Sequence, residues 1–94
     1  MRTIVICDDV EIERLLLKEI LCQYFEEINE EISIIEYDSG ETLVADVEEG
    51  YVDMELLFLD IYMKKLNGME TARKLRQLQC RVPIIFLTAS PDFA

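Results

Sequence analysis

Ninety-four residues support one domain with a modest core, and an apolar share of 51% excludes a disordered chain. A formal net charge of −11 argues against direct nucleic-acid binding, because acidic surfaces repel a phosphate backbone. No apolar run approaches the ~18–20 residues of a membrane span, so no membrane partner is expected.

The first pattern along the chain is Thr3–Cys7, short, β-branched and apolar, which predicts a strand. It begins almost at the N-terminus and lacks the layout of a secretory signal, so the expected location is cytoplasmic. Asp8 and Asp9 follow at once. From Val10 the period becomes helical to about Glu27: Leu17, Leu21, Tyr24 and Ile28 line one face, and Leu16 and Ile20 widen it. Asp9 is placed near the N-cap, and Glu11 and Glu13 suit the positive end of the helix dipole. Glu31–Tyr37 reads as a second strand near an edge. Asp38 and Glu41 have capping-box spacing before a short helix, Glu41–Glu48, with Gly50 at or beyond its end.

Leu56-Leu57-Phe58-Leu59 then runs straight into Asp60. A short unbroken apolar run is the pattern of a strand buried on both faces, as in a parallel sheet. Asn67 is a plausible cap for a third helix, with Met69, Ala72, Leu75 and Leu78 on one side. Pro83 can begin a strand but not interrupt one, and Ile84–Leu87 reads as a fourth buried strand ending at Thr88. Strands alternating with helices imply right-handed crossovers and an α/β fold with a parallel sheet.

In such sheets the chemistry lies beyond the carboxyl ends of the strands. Asp8-Asp9, Asp60 and Thr88 all fall there. Three carboxylates brought together repel one another, and a divalent cation resolves the conflict; all-oxygen ligands suit Mg²⁺. Such a site can polarise a phosphoryl group while a carboxylate attacks it, giving an aspartyl phosphate. Thr88 offers a hydroxyl to a phosphoryl oxygen. Taken singly, each residue has a plainer reading: Asp8-Asp9 as a helix cap, Asp60 as the start of a turn, Thr88 as a strand residue. The charge is also uneven. Residues 1–60 carry three basic and eighteen acidic side chains, and residues 61–94 carry six basic and two acidic. There is no histidine, and Cys7, Cys22 and Cys80 are far apart. That excludes the usual zinc patterns and a histidine-based triad, and predicts buried free thiols in a reducing compartment.

The sequence resembles the receiver domain of bacterial two-component response regulators. The residues that carry the resemblance are Ile6-Cys7-Asp8-Asp9, Leu57-Phe58-Leu59-Asp60-Ile61-Tyr62-Met63, Asn67-Gly68 and Pro83-Ile84-Ile85-Phe86-Leu87-Thr88-Ala89. The segment Phe86–Ala94 is further similar to receivers attached to LytTR-type DNA-binding domains. The resemblance implies a flavodoxin-like, doubly wound parallel sheet in the order 2-1-3-4. It implies that Asp60 accepts a phosphoryl group from a sensor histidine kinase, and that Asp8, Asp9, Asp60 and the main-chain carbonyl of Tyr62 hold Mg²⁺. Thr88 becomes the switch hydroxyl, and the Ala89 amide binds a phosphoryl oxygen. The domain is then a phosphoacceptor and not an enzyme, controlling a separate output domain, expected to act in transcription.

The family pattern continues with a fifth strand ending in a lysine, and with two further helices, none of which lies within residues 1–94. The chain is therefore expected to be a C-terminally truncated receiver. Lys64 and Lys65 stand where the family often has Met-Pro after the acceptor, Met63 being kept. Two other readings compete. A haloacid-dehalogenase-type phosphohydrolase also uses an aspartate after a buried strand, but needs a second one two residues on, where this sequence has Tyr62. A receiver remnant could instead act as a protein-interaction module without being phosphorylated. With no fifth strand beside it, the fourth strand is expected to be an apolar edge that joins a second copy into a homodimer or larger assembly.

Overall fold

A computed structural model describes residues 1–88. The elements are β1 (Arg2–Cys7), α1 (Glu11–Glu27), β2 (Ile32–Tyr37), α2 (Gly40–Glu48), β3 (Leu56–Asp60), α3 (Gly68–Gln77) and β4 (Ile84–Leu87). All four strands are parallel, in the order β2-β1-β3-β4, so the expected α/β topology is what forms. The two central strands are the most apolar: Ile4, Val5, Ile6 and Cys7 of β1 and Leu57, Phe58 and Leu59 of β3 are buried. Strands covered on both faces need no polar alternation.

One core lies beneath α2 and α3 and gathers Val5, Cys7, Leu43, Leu57, Leu59 and Leu75. The other lies beneath α1 and gathers Ile4, Ile6, Leu21 and Phe58. α2 and α3 approach closely because Gly40 has no side chain: a Cβ there would run into the Thr71 hydroxyl. Thr71 is fully buried, and its hydroxyl donates to the Asn67 carbonyl at 2.8 Å.

Several local details differ from the sequence reading. The N-cap of α1 is Val10, not Asp9, and no side chain caps it. Asp8 takes that role indirectly, its Oδ1 accepting the Val10 N–H at 2.9 Å. Ser39, not Asp38, caps α2 by accepting the Thr42 N–H. Asn67 does cap α3, in a reciprocal capping box with Glu70. The buried side of α3 is Gly68, Thr71 and Leu75; Met69 and Leu78 are exposed, because the helix settles on its small residues against α2. On α1 only Leu21 is buried, while Leu16, Ile20, Tyr24 and Ile28 remain exposed. β4 is not buried on both faces: Ile85 and Phe86 are exposed, since no described strand lies outside it. Of the three thiols, all free, only Cys7 is buried; Cys22 is exposed and Cys80 half-buried. Burial pushes the Cys7 thiol up to about 12, which keeps it protonated.

Candidate functional site

The sheet register builds the site. Cys7 of β1 is level with Leu59 of β3, and Asp60 is level with Leu87 of β4. One residue beyond Cys7, Asp8 is therefore level with Asp60 on the neighbouring strand, and Thr88 follows just past β4. Neighbouring strands are about 4.8 Å apart, so the three ends meet at one rim. Asp8, Asp9 and Asp60 each offer a carboxylate oxygen within 4.8 Å of the others.

The backbone orients each carboxylate by one oxygen. Asp8 Oδ1 holds the Val10 N–H at 2.9 Å, Asp9 Oδ2 the Lys64 N–H at 3.2 Å, and Asp60 Oδ1 the Tyr62 N–H at 3.1 Å. Each of these bonds uses one oxygen of its carboxylate. Asp8 is fixed further: its N–H donates to the Tyr37 carbonyl, and its own carbonyl accepts from Arg14 Nη1 at 2.8 Å. Arg14 in turn pairs with Glu36 at 3.1 Å, so its charge is largely spent away from the carboxylates. Burial, and then the charges of Asp60, Asp9 and Glu13, push the Asp8 carboxyl up to about 6 against the opposing Val10 N–H.

The loop after Asp60 returns closely enough for Gly68 N–H to donate to the Ile61 carbonyl at 3.0 Å. A Cβ on Gly68 would run into the Asp60 carbonyl oxygen, so only glycine lets α3 start here. Lys64 and Lys65 lie on this loop, both side chains exposed, with Lys65 in the left-handed region at φ 56°.

Two hollows flank Asp60. One of about 250 Å³ is lined by Asp8, Asp9, Val10, Glu13, Asp60 and Tyr62. The other, about 240 Å³, runs beneath α1 and is lined by Asp8, Glu13, Leu16, Leu17, Ile20, Asp60, Leu87 and Thr88. Larger hollows of about 480 and 330 Å³ lie at the opposite ends of the strands and gather no comparable acid cluster. Of the residues singled out in the sequence, Asp8, Asp9 and Asp60 cluster, Tyr62 lines one of the hollows beside them and Thr88 the other, while Ala89 lies outside the described residues. Glu13 is the addition. The sequence reading gave it only a helix-dipole role, although its place one turn into the helix after Asp8-Asp9 was the available signal.

A rim of carboxylates on a parallel sheet in this order is the architecture of a signalling receiver. The profile of the response regulator receiver domain matches residues 4–93, and the chain belongs to that family. It is 38% identical over 93 residues to the cyclic di-GMP phosphodiesterase response regulator RpfG of Xanthomonas campestris, covering 95% of this chain and 22% of that protein. It is 34% identical over 89 residues to the transcriptional regulatory protein CpxR of Klebsiella pneumoniae, covering 95% of this chain and 34% of that one. Among solved structures, the response regulator TrrA of Thermotoga maritima, in complex with Mg²⁺ and BeF, superposes with a TM-score of 0.80 at 29% identity, over 99% of this chain and 74% of that one. The chain spans between 9% and 34% of the length of the curated relatives it matches. No described helix is long and apolar enough to cross a membrane.

Proposed function

We propose that this receiver accepts a phosphoryl group on Asp60 from a sensor histidine kinase in the cytoplasm, with Mg²⁺ held by Asp8, Asp9, Asp60 and the Tyr62 carbonyl. The observation that carries this reading is the orientation of Asp60. It is buried at the end of a central strand, with one oxygen accepting the Tyr62 N–H, and it offers a carboxylate oxygen within 4.8 Å of those of Asp8 and Asp9. Three hard oxygen donors in an open cluster fit a cation that keeps part of its water shell. When bound, Mg²⁺ supplies charge that draws in the phosphoryl oxygens and offsets the carboxylate repulsion.

The chain's own part is positional. The free Asp60 oxygen attacks phosphorus in line. The phosphorus–nitrogen bond to the kinase imidazole breaks with its electron pair on nitrogen, and an acyl phosphate remains. Asp8, held at its N–H, its carbonyl and one carboxylate oxygen, does not reorganise as charge develops. Thr88 lines the hollow on the other side of Asp60, from which its hydroxyl can donate to a phosphoryl oxygen. The Ala89 amide is proposed for a second phosphoryl oxygen, from its place next to Thr88 in the sequence. Residues 1–94 form the receiver part of a regulator whose output domain lies elsewhere. A transcriptional output is supported by the CpxR relative, and the RpfG relative shows that a related receiver serves a different named output. A second copy of the chain joining at the β4 edge is part of the proposal. Its support is the exposure of Ile85 and Phe86.

Incubation with acetyl phosphate and MgCl₂, followed by intact mass, tests the assignment. The wild type should gain one phosphate, Asp60→Asn none, and Asp9→Asn less than wild type. A phosphate gained by Asp60→Asn, or none gained by the wild type, would overturn it; the latter outcome would leave an interaction module.

A further inference from the structure

Among the described residues, three line both hollows that flank Asp60: Asp8, Asp60 itself and Glu13. Glu13 is therefore on both approaches to the acceptor. Its placement is set by the backbone, since its N–H donates to the Val10 carbonyl at 3.1 Å while the Val10 N–H is held by Asp8. Along α1, Glu13, Leu16, Leu17 and Ile20 fall at the spacing of a single helix face, and all four line the hollow beneath the helix. Of these four, Glu13, which is exposed, is the one that carries a charge, and it is the one that also lines the hollow on the other side of Asp60. Among the described residues Glu13 has no ion-pair partner; Arg14 and Lys18, its basic neighbours on α1, are both turned to Glu36.

We propose that Glu13 is a charge gate on Asp60, disfavouring small dianionic phosphodonors that arrive free from solution. A donor held in place by its own protein contacts overcomes the repulsion, so the gate favours transfer from a protein partner. This inference rests on the reading of Asp60 as the phosphoacceptor. With acetyl phosphate, the free Asp60 oxygen forms a bond to phosphorus and the bond from phosphorus to the acetate oxygen breaks. Acetate leaves with that electron pair, and no proton moves. The incoming dianion must pass a carboxylate on either approach, where like charges a few ångströms apart repel appreciably.

The test compares initial rates of phosphate gain by intact mass, at saturating MgCl₂ so that metal affinity does not enter. Acetyl phosphate serves as the dianionic donor and phosphoramidate, a monoanion at neutral pH, as the less charged one. Glu13→Gln should speed the acetyl phosphate reaction about fivefold at low ionic strength, and the phosphoramidate reaction less. The gain should shrink as salt screens the charge. Glu13→Asp should behave like wild type. An unchanged or slower rate for Glu13→Gln overturns the gate while leaving Asp60 as acceptor. So does a gain that is equal for both donors or indifferent to salt. A wild type that takes phosphate from neither donor overturns the Asp60 reading, and the gate with it.

Discussion

The two faces of the sheet are covered unequally. α2 and α3 close one of them together, meeting each other at Gly40 and Thr71 over a core that includes fully buried Leu43, Leu57, Leu59 and Leu75. On the other, α1 is the one described helix, and it leaves Leu16, Ile20, Tyr24 and Ile28 exposed. The acid cluster sits on the seam between the two. Asp8 leads from β1 into α1 on the open face, and Asp60 leads from β3 toward α3 on the closed one. Stability is thus concentrated on the side that anchors Asp60. The side that brings Asp8 and Glu13 to the rim is the one whose helix keeps apolar side chains exposed among the described residues.

Core truncations sharpen this difference most. Leu75→Ala removes a fully buried side chain between α3 and the sheet, and should cost about 2–5 kcal/mol. Ile20→Ala, at 63% exposure on α1, should stay within about 0.5 kcal/mol. Urea unfolding of the two variants reads both values. Equal losses would mean that the two faces contribute alike and that the exposed side of α1 is covered in solution.

The closed face and the rim were the more legible parts of the sequence. Unbroken apolar runs before Asp8 and Asp60 announced buried parallel strands, and the run before Thr88 announced a parallel strand that proves half-open. Helix details were less legible because several residues competed for each role. Asp8, Asp9 and Val10 all preceded α1, and only the fold shows that Asp8 binds the first N–H while Asp9 is turned across to Lys64. Met69 and Leu78 had the apolarity of core residues. Thr71 and Gly68 took the buried side because close packing against Gly40 and the Asp60 backbone requires small groups, which hydrophobicity does not report. Glu13 lies in the first turn of α1, where its charge suits the helix dipole as expected, and only the two hollows add that it also lines the space on both sides of Asp60.

At the seam, pH and cation should act against each other through Asp8. Its carboxyl is raised to about 6 in the folded protein, above the ordinary value of 3.8. The folded state therefore binds the proton more tightly than the unfolded chain. Its contribution is greatest below pH 4 and is lost as pH rises through about 6. Without divalent cation, the loss should be on the order of 3 kcal/mol, each pKa unit corresponding to about 1.4 kcal/mol. MgCl₂ should restore stability above pH 6 and do little at pH 4.5, where a proton competes for Asp8. Asp8→Asn should flatten the metal-free profile and remove most of the response to MgCl₂. Thermal melts across pH 4–8 provide the check, and an Asp8→Asn profile that matches wild type would remove Asp8 from the account.

The smallest expected effect concerns the open edge, and it separates apolar association from charge. The Pro83 carbonyl accepts the Leu57 N–H of β3 and the Leu87 carbonyl the Ile61 N–H just beyond it, so by strand alternation the backbone groups of Ile84 and Phe86 point outward. With Ile85 and Phe86 exposed beside them, this is an edge that can pair with a second β4 about a two-fold axis. A net charge of −11 on each copy opposes the encounter, so added salt should strengthen association. Ile85→Lys lowers that net negative charge yet puts an ammonium where an apolar side chain would be covered. If charge alone governed association, the variant would associate more tightly. If the apolar edge governs it, association should weaken on the order of tenfold while the unfolding free energy hardly moves. Sedimentation equilibrium at several salt and protein concentrations distinguishes the two. A wild type that stays monomeric at high salt and high concentration would show that this edge does not join copies of the chain.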